Sequence, residues 1–184
     1  MPAGRAHLSD LIRVDGEFVF HGASQYPRRD DRVWVGRGYS WTDVTATRVL
    51  FDENDDDVRG EWIQNPQVLR KDSTYLMQYT ASRLGRDVRG EREIHAAYGD
   101  SHDAFAPGGG PVLTTGPCGA WDERLVYAAQ WLKAQDGEYL DPVRVDGAFR
   151  LYYSGHDLWT SKLTGNLGLT GPAEYAMLPP DSRG

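Results

Sequence analysis

Asp10, Asn65 and Asp141 stand at matching places in three related segments, and two of the three can do acid–base chemistry. Asp10-Leu11-Ile12-Arg13-Val14-Asp15-Gly16 is answered by Asp141-Pro142-Val143-Arg144-Val145-Asp146-Gly147. A looser copy is Asn65-Pro66-Gln67-Val68-Leu69-Arg70-Lys71-Asp72-Ser73. A carboxylate at such a place can activate water or attack as a nucleophile, while a second, protonated carboxyl gives a leaving oxygen its proton. Asp10 and Asp141 are candidates for the first role. The plainer reading of each is a turn or strand-entry Asp that caps backbone N–H groups. Asn65 cannot ionise, so it is a candidate for binding a substrate hydroxyl or holding Asp10.

The proton donor is harder to place. Glu123 follows Trp121-Asp122 at the start of the third unit. Glu138 lies shortly before Asp141, and Glu61 shortly before Asn65; both sit in a Gly-Glu-aromatic-aliphatic stretch whose repetition suggests a structural role. Of the six Trp residues, most are expected to pack between repeated units; Trp62 and Trp131 are the preferred ligand-stacking platforms. His7, just before Asp10, is a candidate to orient it. His95 with His102, or His156 with Asp157, lack a third ligand for zinc. No phosphate-cradling or nucleophile-elbow motif occurs. No metal and no cofactor are expected.

Elements that could position these side chains follow from the repeat. Each unit carries a hairpin with aromatic alternation: Phe18, Val19, Phe20; Tyr75, Leu76, Met77, Tyr79; Phe149, Leu151, Tyr152, Tyr153. Asp15-Gly16 is a hairpin turn signal. Strands are expected at Val33–Val35, Thr47–Phe51, Trp62–Arg70, Thr74–Ala81, Glu93–Gly99 and Pro111–Leu113. Gly36–Gly38, Asp100–Phe105 and Gly108–Pro111 read as turns, and 116–122 as a loop. Residues 123–135 fit both a helical and a strand-like pattern, and the β surroundings favour the latter. The acidic run Asp52–Asp57 could hold a cation, but a solvated loop is the favoured reading. Units of about 8–55, 60–115 and 120–165 result, with an irregular tail over 166–184, all in one domain spanning 1–184.

The composition agrees with short strands and tight turns: 184 residues with 21 Gly, 10 Pro and 10 Tyr. A net charge of −7 argues against nucleic acid or an anionic membrane as partner. Cys118 is the single cysteine and is expected as a free, partly buried thiol. No signal peptide or membrane-spanning run is visible, so a cytoplasmic protein is expected.

Radial repetition of four-stranded units makes β-propeller blades, and a stack of hairpins in a sandwich is the alternative. The pattern resembles the five-bladed β-propeller glycoside hydrolases, the superfamily of arabinanases, xylosidases, invertases and levansucrases. Asn65-Pro66-Gln67-Val68 with Asp72-Ser73-Thr74-Tyr75-Leu76-Met77-Gln78-Tyr79-Thr80-Ala81-Ser82 is similar to that group's D-P-x-V and D-G-x-Y-Y-M-Y-Y-T-A-S signatures. Tyr98–Phe105, Gly110–Leu113 and Gly119–Asp122 resemble its other motifs. The resemblance implies an all-β fold of blades and a carbohydrate substrate bound in an axial pocket around Asp10, Asn65 and Asp141. It also implies hydrolysis of glycosidic bonds there, with a non-catalytic piece that binds carbohydrate or a protein partner as the alternative.

The chain departs from the family in two ways. Three units are visible where the family closes five, so an incomplete propeller is expected, with self-association through open blade edges. Asn65 replaces an acid, and Leu140 stands where invertase-like members place Glu.

Overall fold

The computed structural model describes residues 5–25, 31–40, 42–43, 45–52, 61–71, 73–82, 92–120, 122–131, 133–135, 140–142, 144–145, 148–149, 151–156 and 166–169. Among them there is no helix. β1 (Arg5–Val14), β2 (Glu17–Gln25), β3 (Arg32–Gly38) and β4 (Thr45–Asp52) form an antiparallel sheet in chain order. β5 (Glu61–Lys71), β6 (Thr74–Ser82), β7 (Arg92–Ser101) and β8 (Ala104–Leu113) form a second.

The third unit is more broken. β9 (Leu125–Trp131) leads to β10 (Lys133–Gln135), β11 (Leu140–Pro142), β12 (Arg144–Val145), β13 (Ala148–Phe149), β14 (Leu151–His156) and β15 (Asn166–Leu169). Its sheet runs β15-β14-β9, while β10-β11 and β12-β13 are two-stranded ribbons.

Turn chemistry sets the first hairpin. Asp15 and Gly16 have φ of 50° and 83°, the left-handed pair that matches strand twist in a two-residue connection. From there the register is fixed: Arg13 lies opposite Phe18, and its guanidinium sits 5.9 Å from that ring. The second hairpin repeats the pair, with Arg70 opposite Tyr75 and 5.8 Å from its ring. Arg144 opposite Phe149 keeps the same register in the third.

Each sheet is apolar on the face that meets the next. Ile12, Val19, Val33, Val35 and Phe51 of the first sheet pack with Ile63, Val68, Met77 and Tyr79 of the second. On the other face of the second sheet, Leu69 and Ile94 pack with Val126, Ala129, Leu151 and Tyr153 of the third. The Tyr153 hydroxyl donates to the buried Asp122 carboxylate at 2.7 Å, tying the loop before β9 to β14.

Several local expectations are corrected. Gly36–Gly38 lies inside β3, where Gly36 pairs with Phe20 and Ala46. Gly108–Pro111 lies inside β8, and the Tyr98 ring lies so close over Gly108 that a Cβ there would come within 2.9 Å of it. Only residues 102–103 form the β7–β8 turn. Cys118 is free but exposed, because it sits on the tip of the loop before β9. The acidic run beyond Asp52 and residues 136–139 lie outside the described residues.

The β7–β8 hairpin depends on Gly99, where a Cβ would overlap the Ala104 carbonyl oxygen. Backbone cannot yield there as a side chain would, so Gly99→Ala is expected to destabilise the chain by roughly 1–3 kcal/mol. Chemical denaturation of the two forms checks this; equal midpoints would mean the hairpin tolerates wider spacing.

Candidate axial site

Asp10 lies on β1, an edge strand of the first sheet, just after a bulge between Leu8 and Asp10. Its carboxylate reaches the second sheet: Oδ2 accepts the Val68 N–H at 2.6 Å, and Oδ1 accepts the Leu11 N–H at 3.0 Å. Gln67 answers in the other direction, its Nε2 donating to the Ser9 carbonyl at 2.5 Å. Two hydrogen bonds therefore cross the seam at the inner edge. Two buried polar atoms beside them have no hydrogen-bond partner among the described residues: Ser9 Oγ, and Gln78 Oε1 across the ladder from Gln67.

Asn65 sits in the bulge of β5, between Gln64 and Gln67, with φ of 50°. That backbone is left-handed, and Asn adopts it more readily than most residues. Counting back from the turns, the residue that stands where Asp10 stands is Gln67, not Asn65: Asp10 faces His21 and Gln67 faces Gln78. The repeated Arg13, Arg70 and Arg144 carried the register that reveals Gln67. Aligning Asn-Pro with Asp-Pro hid it.

In the third unit Asp141 precedes Arg144 as Asp10 precedes Arg13. Yet β14 takes β9 as its partner, with Gln130 opposite Tyr152, and β11 folds back on β10, with Ala134 opposite Asp141. Ala128 in β9 has φ of 52° at the bulge where β5 has Asn65. The Asp141 side chain lies outside the described residues, as do the side chains of His7, Trp62 and Trp131 and the whole of Glu138. Glu123 is described: its carboxylate accepts the Gly119 N–H and closes the loop turn of 117–120.

At the turn end of the same seam, Arg37 of β3 holds the second sheet. Its Nη2 donates to Asp103 Oδ2 at 2.6 Å and to His102 Nε2 at 2.8 Å, and its Nη1 to Glu17 Oε2 at 3.3 Å. A guanidinium can only donate, so His102 Nε2 is the acceptor and the ring is neutral, with its proton on Nδ1. His21 Nε2 donates to the His102 carbonyl at 2.7 Å, and Tyr75 meets the His102 ring edge-on at 6.1 Å. Burial, with Arg37 adding to it against the carboxylates of Asp103, Asp15 and Glu17, holds His102 below its ordinary value. Burial raises Asp103, but bonds from Ser101 and Arg37 and the neighbouring charges outweigh it, and its carboxyl stays below the usual range. His95, stacked on Tyr79 at 5.6 Å, is also pushed down by burial. It is therefore neutral, and its 3.7 Å approach to Glu93 is not an ion pair. Among the described residues, no three His, Cys, Asp or Glu side chains converge to hold a metal.

Solved structures share this fold. Zg3597, a family 117 glycoside hydrolase from the marine bacterium Zobellia galactanivorans, matches 88% of this chain with a TM-score of 0.67 and 18% identity. The fold is that of the β-propeller glycoside hydrolases. CoXyl43, a family 43 β-xylosidase/α-arabinofuranosidase from a compost metagenome, solved with xylotriose, matches 89% at TM-score 0.57 and 18% identity. The family 43 subgroup 1 enzyme from Xanthomonas citri matches 86% at TM-score 0.55 and 15% identity. This chain spans about half the length of each, 50%, 46% and 43% respectively. No protein-family model and no curated protein matches the sequence.

The propeller seam carries a pH signature. His102 and His95 are neutral in the fold and take protons more readily once unfolded, so stability is lost as pH falls below about 6.5. Asp103 extends the loss at lower pH, because its carboxylate is the form the fold prefers. The melting temperature is expected to drop between about pH 6.5 and 5. His102→Asn, which keeps a neutral acceptor, should flatten part of that drop. A pH profile of Tm unchanged by the substitution would assign the loss to His95 alone.

Proposed function

We propose that this chain acts on carbohydrate at the inner edge of its blades, with Asp10 as the carboxylate that activates water or attacks in glycosidic-bond cleavage. The observation that carries the reading is the setting of Asp10: a carboxylate on the edge strand that meets the second sheet, held at fixed orientation by the Val68 and Leu11 N–H groups. A base must be held at fixed geometry to work, and two backbone N–H groups hold this one. Asn65, half-buried on the next blade, supplies an amide for a sugar hydroxyl. Asp141 is the second carboxylate of the reading, by its place three residues before the repeated Arg144. Xylotriose bound to CoXyl43 supports a saccharide as the ligand class.

A non-catalytic, carbohydrate-binding role is the second reading, favoured by specific observations. Asn65 cannot serve as acid or base, and the Glu123 carboxylate is engaged in its own loop. A missing general acid typically lowers rate by ~10²–10⁴-fold. The chain should accordingly cleave aryl glycosides, whose leaving groups need little protonation, far better than natural oligosaccharides. Turnover of an unactivated oligosaccharide at ordinary enzyme rates would mean that a proton donor is in place, with Glu123 and Glu138 the first to substitute.

Asp10 itself separates structure from chemistry. Asp10→Ala removes the carboxylate that accepts the Val68 and Leu11 N–H groups, an expected loss of roughly 1–3 kcal/mol. Asp10→Asn keeps an acceptor for one of the two N–H groups, so it should lose less stability than the Ala variant and still fold, while aryl-glycoside cleavage disappears. Full activity in a folded Asp10→Asn protein would make Asp10 a structural clamp only.

A further inference from the structure

The seam between the first two sheets has a second opening, away from the innermost strands. It is a cleft of about 340 Å³ between Arg48 and Leu50 of β4, Thr74 at the start of β6, and Asp100, Asp103 and Phe105 around the β7–β8 turn. β4 is at the opposite edge of its sheet from β1, so the cleft is separate from Asp10. Leu50 and Phe105 pack on the first core and form an apolar floor. Asp103 is fixed by Ser101 at 2.8 Å and Arg37 at 2.6 Å, and stays ionised. Among the described residues, the Arg48 guanidinium and the Asp100 carboxylate have no hydrogen-bond or ion-pair partner.

We propose that this cleft binds an acidic sugar unit, a hexuronate, off the propeller axis. A free guanidinium matches a carboxylate through two parallel hydrogen bonds. Asp100 and Asp103 then accept bonds from ring hydroxyls, and the C–H face of the pyranose lies on Phe105. The volume falls within the ~300–1,000 Å³ typical of small-molecule sites. A neutral hexose would leave Arg48 unanswered. An amino acid zwitterion would answer both Arg48 and Asp100, so it is the competitor that the test below must exclude. A sugar acid supplies one anion and several uncharged donors, which is the set this cleft lacks.

Isothermal titration of the 184-residue chain with sodium galacturonate and sodium glucuronate tests this, with galactose, glucose and leucine as counterparts. Saturable uronate binding is expected, weakened by salt and at least about tenfold tighter than either hexose. Arg48→Ala, at an exposed position that should leave the melting temperature unchanged, is expected to cost about tenfold in affinity, and Asp100→Asn several-fold. Absence of uronate binding, equal binding of hexose, tighter binding of leucine, or full affinity in Arg48→Ala would each overturn the proposal. The readout needs no hydrolysis. A chain that binds uronate through Arg48 but cleaves nothing keeps this site and loses the catalytic reading of Asp10.

Discussion

The hydrogen bond from the Val68 N–H to the Asp10 carboxylate crosses the seam on which the rest of this structure depends. A single four-stranded meander of this kind cannot bury its apolar face alone. Ile12, Val19 and Phe51 leave water only because Val68, Met77 and Tyr79 meet them from the next sheet. Hydrophobic packing is non-directional, however, and would allow the sheets to slide. The bonds of Asp10 to Val68 and of Gln67 to Ser9 set the inner edge in one register. Arg37, with His102 and Asp103, sets the other end.

This places two demands on one side chain. A carboxylate bound to backbone N–H groups is well oriented, which suits a base, and is also bound into the architecture, which suits a clamp. The two uses are compatible because both need the same thing, a carboxylate held at one orientation. The bulges are the backbone's part in the arrangement. An extra residue turns β1 ahead of Asp10 and β5 at Asn65, redirecting side chains at the inner edge that a regular pleat would send to alternate faces.

The turn end of the seam is polar for a different reason. His102 works there as a neutral acceptor, so its hydrogen bond to Arg37 exists only while the ring is unprotonated. The ion pair beside it, Arg37 with Asp103, is about one-third exposed at each partner, and solvent screening keeps its own contribution small. Geometry, more than net attraction, is what this cluster supplies. It fixes Asp103 at the rim of the outer cleft and positions the β7–β8 turn against the first sheet.

Much of this was legible in the residues. Asp15-Gly16 dictates a tight hairpin because both positions need left-handed backbone, and the aromatic alternation after each turn dictates strands with one apolar face. The echo of Asp10–Gly16 in Asp141–Gly147, with the aromatic alternation and the signatures around Asn65 and Tyr79, pointed to the repeated unit and the all-β blade fold. Tertiary structure alone decided which strands pair and which atoms meet. Nothing local to Gly108 says that it lies within a strand beneath the Tyr98 ring. The partner of β14 is β9 rather than β11, a choice made between segments of similar strand propensity. The Arg37–His102 contact joins residues far apart in the chain. Such pairings rest on which apolar faces and hydrogen-bonding edges are brought together when the sheets pack, and that is a property of the whole fold, not of any segment.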